Sequence, residues 1–557
     1  MESCSWIGDN QREDTEPRSD AWGRDVTLQG GDHQNMMGII KHGASGRPRS
    51  EAWGRDVTLQ GGDHQKMMGI IKLGASGMES ILLNDDLGNN PLKASTLFPK
   101  ILPRYSCKMK VSAAILGLIA FAATIEAAPK GNQAGSDASI RNLKDKIKNV
   151  VLITMENRSL DNLLGGQKTK GLENPVNSGP YCNPYNITDA SKGKACSGPK
   201  DYDSILNDPD HGVPGNNIEF YGTFLPNNTL IQSKKLTPSM NGFVHEQLRL
   251  YSAKQDQDVL ANQVMNYYTE EQVPVITGFT KEFVTFNNWH SGHPGPTNPN
   301  RAYIVSGTSA GHGTNDAAFG TSGLTQHSIF AQLSSQNITW KNYAPTAGSG
   351  DAMYFASTVA SGDSKKNMKS LEEFYQDAYL GRLPRFTYVN PSCCGVGTNS
   401  MHPTGLVSDG EVLLKQMYDA IRNGPQWENT LFIVTFDETG GFHDHVAPPL
   451  APRPDNLTYT VATPDKDQYT FEFDRLGGRL PTWIISPWVA EGYVEKLGVN
   501  SEGDQVTYSA TSILRTLGYL WDFQPFTPRV EWSPSFDHLI LQKSKTKSKT
   551  MPNPITF

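Results

Sequence analysis

Two stretches of the chain are apolar without alternation and stop on acidic or amide residues. The first runs through Val150, Val151, Leu152, Ile153 and Met155 and ends at Glu156 and Asn157; the second runs through Leu431, Phe432, Ile433, Val434 and Phe436 and ends at Asp437 and Glu438. A strand with one face in water alternates apolar and polar positions, so an unbroken run predicts a strand buried on both faces, as in a parallel sheet covered by helices. Further strand-like runs fall at 282–289, 338–344, 385–390 and 481–487. Between them, residues 408–424 put Val412, Leu413, Gln416, Met417, Ala420 and Ile421 at helical spacing, which predicts a helix with one mostly apolar face on the sheet and a stop at Gly424. Strands alternating with helices predict an α/β fold, a doubly wound and mostly parallel sheet flanked by helices.

Other segments break this pattern. Residues 166–260 are rich in Gly, Pro, Asn and Asp with few periodic runs, and are expected to form a long, disulfide-pinned insertion over the site. AWGRDVTLQGGDHQNMMGIIKHGASG begins at Ala21 and returns almost unchanged at Ala52, 31 residues later. Stacked repeats need three or more units to bury a core, so residues 1–108 are expected to be a disordered or misassigned extension rather than a functional array. From Met109, MKVSAAILGLIAFAATIEAAPKG has a basic start, a short apolar run and the small residues Ala127 and Ala128, the layout of a signal peptide over 109–128. Its apolar run is shorter than the ~20 residues of a membrane span. The expected compartment is therefore extracellular or the cell wall, with a catalytic domain over 129–542 and a basic, flexible tail over 543–557. In that setting Cys182, Cys196, Cys393 and Cys394 are free to pair, Cys182 with Cys196 being the natural short loop, and Asn186, Asn227, Asn337 and Asn456 are glycosylation acceptors.

The net charge of −7 leaves no excess of Lys and Arg to displace counterions, which excludes a nucleic-acid binder. The tail KSKTKSKT is expected to be a solvated end, with peripheral membrane contact as the alternative. A monomer is expected.

The chemistry lies at the strand ends, where open α/β sheets place their ligand crevices. Glu156, Asn157, Asp437 and Glu438 are hard oxygen donors suited to one divalent ion, Mg, Ca or Mn, or Zn with histidine help. In HPGPTNPNRAYIVSG a Gly-Pro turn sets Thr297 at the start of a predicted helix, as a cap or as a hydroxyl placed for phosphate. Beside a cation such a hydroxyl is a nucleophile. His211, His402, His443 and His445 are the candidate proton donors, the last two favoured because Gly440 and Gly441 let their loop fold over the strand end.

Three ordered motifs carry a resemblance. ENRSLDNLLG from Glu156, GPTNPNRAYIVSGTSAG from Gly295 and FDETGGFHDHV from Phe436 resemble the ENRSFD, GPTxPNR and YDExGGxxDHV motifs of the phosphoesterase group that includes bacterial phospholipases C and an acid phosphatase. MNGFVHE, VMNYYTEEQVPVI and RLPTWIISPWVAEG are similar as well, so that the likeness spans roughly 147–530. The resemblance implies an alkaline-phosphatase-like fold, a metal on Glu156, Asn157, Asp437 and Glu438, and Thr297 as a nucleophile forming phosphothreonine. It further implies phosphoryl contacts from His211 and His402, a site role for His445 and His443, and substrate binding by Asn300 and Arg301. Ala510 stands where many relatives have His, and no His occurs near Trp340 to Tyr343. The expected function is a secreted, metal-dependent phospholipase C-type phosphodiesterase acting on glycerophospholipids. The alternatives are a phosphomonoesterase of the acid phosphatase type, acting on small phosphate esters, and a non-catalytic binding glycoprotein.

Overall fold

The computed structural model describes residues 133–544 and 550–557; the duplicated segment and the signal-like run lie outside the described residues. Eight strands form the central sheet: β1 (Asn149–Met155), β2 (Val284–Phe286), β3 (Trp340–Ala344), β4 (Met368–Ser370), β5 (Phe386–Val389), β6 (Thr430–Phe436), β7 (Trp483–Ile485) and β8 (Val494–Glu495). Their spatial order is β8-β2-β7-β6-β1-β5-β3-β4. The two unbroken apolar runs are the adjacent central strands β1 and β6, parallel and in register from Asn149 beside Thr430 to Met155 beside Phe436. Every residue of both is buried, which is why neither shows alternation. Strands β5, β3 and β4 continue in parallel on one side; on the other β7 is antiparallel to its neighbours β6 and β2, so the sheet is mixed but mostly parallel.

Five helices matter for the site: α1 (Val213–Tyr221), α2 (Phe243–Tyr251), α3 (Gln257–Met265), α4 (Thr297–Ser306) and α5 (Val407–Asn423). Helix α5 matches the predicted helix, but its buried face is rotated from the expected one. Val412 is 40% exposed, while Leu414 and Tyr418 are fully buried beside Leu413, Met417 and Ile421. The first turn of α5 is held by the insertion: Asp203 accepts hydrogen bonds from the Ser408 amide at 2.8 Å and its hydroxyl at 2.6 Å.

The insertion itself departs from expectation. It is pinned by Cys182–Cys196, yet it carries α1, α2 and part of α3 rather than loops alone. Phe220, Phe243, Val244, Leu248, Leu260, Val264 and Met265 form a small core of their own. The C-terminal end also differs: residues 545–549 lie outside the described residues, but Met551 is 4% exposed and Phe557 meets Tyr268 edge-on at 5.9 Å, so the last residues fold back on the body.

Candidate active site

Parallel β1, β5 and β6 discharge their following residues on one edge of the sheet. Asp437 follows β6 with its amide bonded to the Met155 carbonyl at 3.1 Å, so the acidic ends of β1 and β6 are neighbours by register. Asp437 Oδ1 accepts from the Asn157 amide at 3.2 Å and the Glu438 amide at 2.8 Å. Asn157 sits at φ 56, a left-handed conformation that favours glycine and that tertiary contacts must impose on any other residue. Arg158 imposes part of it, donating its amide to the Glu438 carbonyl and its guanidinium to the Met401 carbonyl at 2.9 and 2.7 Å.

The expectation that Arg301 binds substrate is corrected by its contacts. Its guanidinium is 2% exposed and donates to Asp437 Oδ2 at 3.0 Å, Glu156 Oε1 at 2.8 Å, Asp351 Oδ2 at 3.3 Å and the Thr154 carbonyl at 3.1 Å. It is the internal counter-ion of three buried carboxylates. Asn300 is likewise buried: it donates to the carbonyls of Gly295 and Pro296 and accepts from the His293 amide, locking the Gly-Pro turn that leads into α4. Pro296 holds the cap position and Thr297 is the first residue of α4, so Thr297 is not the cap. Among the described residues no hydrogen bond engages its hydroxyl. Thr297 and Arg301 are four apart, hence on one helix face. The Cα of the threonine therefore lies about 6 Å along the axis from the Cα of Arg301.

Whether these residues fit a cation is answered by their free atoms. Asn157 Oδ1 and Glu438 Oε1 are buried with no hydrogen-bond partner, and Glu438 Oε1 lies 4.0 Å from His211 Nε2. Unpaired buried oxygens are costly unless something positive meets them. Glu156 and Asp437 are partly engaged, but a carboxylate offers about four acceptor sites and each keeps some. The set is all oxygen, the donor type of a hard divalent ion, while among the described residues the acid, thiol and imidazole groups whose ligand atoms all lie within 4.8 Å of one another are Asp208 with His211 and His402, Asp161 with Asp444 and His445, and Glu156 with Cys393 and Cys394.

The charge state agrees. Burial, against the opposing pull of Arg301, pushes Glu156 up to about 8, and burial also pushes Glu438 up to about 8 despite His211; burial raises Asp437 too. His211 resists its own burial because Glu438 and Asp208 face it, and rises to about 9. Unfolded glutamates titrate near 4.5, so between there and about 8 the metal-free folded protein holds more protons than the unfolded chain and its stability falls as pH rises. His211 adds to the fall above 6.5. The melting temperature of chelator-treated protein is therefore expected to be higher at about pH 5 than at about pH 8, and a divalent cation to raise it most at the higher pH. An equal rise at both would contradict this charge balance.

The insertion delivers His211, and the loop after β5 delivers His402. Their rings meet edge to face at 6.2 Å between centroids. His211 Nδ1 bonds the Pro209 carbonyl at 2.8 Å and its Nε2 faces Glu438 at the cluster, while His402 Nδ1 bonds the Pro403 carbonyl. His402 Nε2 lies 3.8 Å from Asp208, and burial lowers its pKa. Gly441 makes this approach feasible: at φ +67, a Cβ there would lie 2.5 Å from the Asp210 carbonyl oxygen, while one on Gly440 would lie 2.6 Å from that of Asn157. Gly441→Ala is expected to cost roughly 1–3 kcal/mol and to lower activity by displacing His211. Chemical denaturation together with turnover checks it; unchanged values in both would remove the glycine's role.

His443 and His445 are gathered elsewhere. His445 Nδ1 lies 2.6 Å from Asp161 Oδ2 and its ring stacks on Tyr181 at 3.9 Å; His443 is buried against Phe243, 4.0 Å from the same Asp161 oxygen. Arg479 completes this group, donating to Asp161 at 2.9 Å and Asp444 at 2.8 Å. The two histidines and the DHV motif thus latch the loop after β1 to the loop after β6, and do not join His211 and His402. Sequence reasoning passed over Asp208 although it stands in the NDPDHG run, and passed over Asp351 and Arg158, which no spacing singled out.

The phosphoesterase family model matches residues 147–524. Non-specific phospholipase C6 of Arabidopsis thaliana is 31% identical over 413 residues, covering 71% of this chain and 72% of that protein. Hemolytic phospholipase C of Pseudomonas aeruginosa is 24% identical over 300 residues, covering 46% and 39%. Among solved structures, a protein of the alkaline phosphatase superfamily from Vibrio parahaemolyticus aligns with a TM-score of 0.26 at 12% identity, covering 47% of this chain and 63% of that one. With its family motifs at the shared edge of β1 and β6 and the match extending over most of the folded body, the chain belongs to the phosphoesterase family and is a phosphoric ester hydrolase.

Proposed function

We propose that this protein is a secreted, metal-dependent phosphodiesterase of the phospholipase C type that hydrolyses glycerophospholipids through a phosphothreonine. The observation that carries the reading is the pair of buried, unpartnered oxygens, Asn157 Oδ1 and Glu438 Oε1, between the acidic strand ends and His211. The phospholipase C names of its relatives supply the substrate class.

Glu156, Asn157, Asp437 and Glu438 would hold one divalent ion, which when bound polarises a phosphoryl oxygen and lowers the pKa of a hydroxyl beside it. The chain's own groups do the rest. Thr297 Oγ1, at the amino end of α4, gives its proton to solvent and attacks phosphorus in line as the bond to the leaving alcohol breaks, and the helix terminus favours the anionic phosphoryl group. His211, whose Nε2 faces Glu438, donates from Nε2 to the leaving alcohol. His402, lowered by burial, is neutral and accepts a proton from the water that cleaves the phosphothreonine. Two imidazoles with pKa values driven apart divide the acid and base roles.

The test is hydrolysis of p-nitrophenyl phosphorylcholine and p-nitrophenyl phosphate by the purified chain, with and without EDTA. Release from the first, abolished by the chelator and restored by a divalent ion, is expected. Release from the second alone would make the protein a monoesterase, and release from neither a binding module.

A further inference from the structure

Two imidazoles and a carboxylate stand together beside the acidic strand ends, and their atoms suit a second use besides proton transfer. One ligand atom from each of Asp208, His211 and His402 lies within 4.8 Å of the other two, and all three residues are partly exposed, so an ion in solvent reaches them. His402 Nε2 is 3.8 Å from Asp208 Oδ2. Zinc bound by nitrogen and oxygen at about 2.0–2.1 Å in tetrahedral geometry spaces its ligands roughly 3.3 Å apart, so small side-chain movements close the site.

Two further observations point to a ligand there. Asp208 Oδ1 is shut off from solvent and has no hydrogen-bond partner, a state that calls for a positive group. Both rings are also prepared as metal-binding imidazoles are, with the other nitrogen fixed on the backbone. The Pro209 carbonyl holds His211 Nδ1 and the Pro403 carbonyl holds His402 Nδ1, which leaves Nε2 of each ring to ligate. His211 Nε2 has before it the Asn157 side-chain amide at 3.5 Å and Glu438 Oε1 at 4.0 Å, contacts long enough to give way. The two other gatherings of acids with thiols or imidazoles among the described residues are already engaged. Arg479 fills the one at Asp161, Asp444 and His445, donating to both carboxylates. Beside Glu156 the two cysteines are joined in a disulfide and offer no thiolate.

Donor chemistry separates this site from the four residues at the strand ends. Carboxylate and amide oxygens suit Mg, Ca or Mn, whereas two imidazoles with one carboxylate suit zinc. We infer that Asp208, His211 and His402 form a second cation site, selective for Zn²⁺, whose occupation stops hydrolysis. Zinc takes the Nε2 lone pairs of both rings, the nitrogens through which His211 gives a proton and His402 accepts one. A proton on His211 Nε2 passes to solvent as the zinc–nitrogen bond forms. The inhibitory half of the inference rests on the reading of these two imidazoles as acid and base; the cation site does not.

The experiment titrates Zn²⁺ calorimetrically into the full chain in excess Mg²⁺ and follows release from p-nitrophenyl phosphorylcholine over the same zinc range. One Zn²⁺ is expected to bind, and turnover to fall in step with its occupancy. Asp208→Asn and His402→Gln should each weaken zinc binding by on the order of a hundredfold, the upper end of the loss caused by changes beside a metal ligand. Glu156→Gln, a change at the other cation site, should bind zinc as the wild type does. No zinc binding in excess Mg²⁺, or binding that survives Asp208→Asn and His402→Gln but is lost in Glu156→Gln, overturns the site. Zinc that binds through Asp208 and His402 yet leaves turnover intact, or raises it, overturns the inhibitory half and the acid–base reading behind it, with the cation site standing.

Discussion

Thr297→Ala is expected to lower phosphodiester turnover by roughly ten-thousand-fold or more, the scale on which enzymes lose activity when a nucleophile is removed. The reason is positional. Thr297 opens α4, its hydroxyl is engaged by no neighbour among the described residues, and one turn later Arg301 grips the carboxylates of both central strand ends. Losing a half-buried, unengaged hydroxyl breaks no internal bond, so thermal unfolding should shift within about 0.5 kcal/mol of wild type. Thr297→Ser keeps an oxygen on the same helical turn and should retain measurable turnover. Parallel measurement of rate and melting temperature separates loss of chemistry from loss of fold. An alanine variant at full rate would assign the attack to another group.

Arg301→Leu carries the largest expected loss of stability, about 3–5 kcal/mol, because it strands Glu156, Asp351 and Asp437 in the interior without their shared cation. Each is at most a few per cent exposed, so none faces solvent that could screen its charge. Arg301→Lys should recover only part, since an ammonium cannot bridge three carboxylates in the fork geometry of arginine. Urea denaturation reads the cost. If the leucine variant unfolds at the wild-type midpoint, the guanidinium's contacts with the three acids add nothing to stability and the ion-pair account fails.

Some of this molecule was legible in its sequence and some was not. The central strands were legible because burial on both faces erases alternation, and the acidic residues that end them stood out against fourteen buried neighbours. The reversal of β7 was not legible: Trp483, Ile484 and Ile485 are as apolar as a parallel strand, and periodicity carries no direction. On α5, Val412 and Leu414 differ by half a turn, and composition alone does not tell which of two apolar residues faces the sheet. The helices of the insertion were hidden because their apolar positions cover a small core among many polar residues. At the site, motifs named the residues but not their partners. The resemblance implied that Arg301 faces substrate, and three acids from separate segments took it inside.

The latch formed by Asp161, Asp444, His445 and Arg479 has a consequence for how the protein comes into being. Arg479 reaches Asp161 across 318 positions and Asp444 across 35. Loop-closure entropy defers such contacts to late stages of folding. A nascent chain that has emerged as far as Asp444 already displays every acidic group of the pocket, yet lacks Arg479, which fixes the two loops against each other. Hydrolytic competence thus waits on Arg479, which is made after all the acids of the pocket.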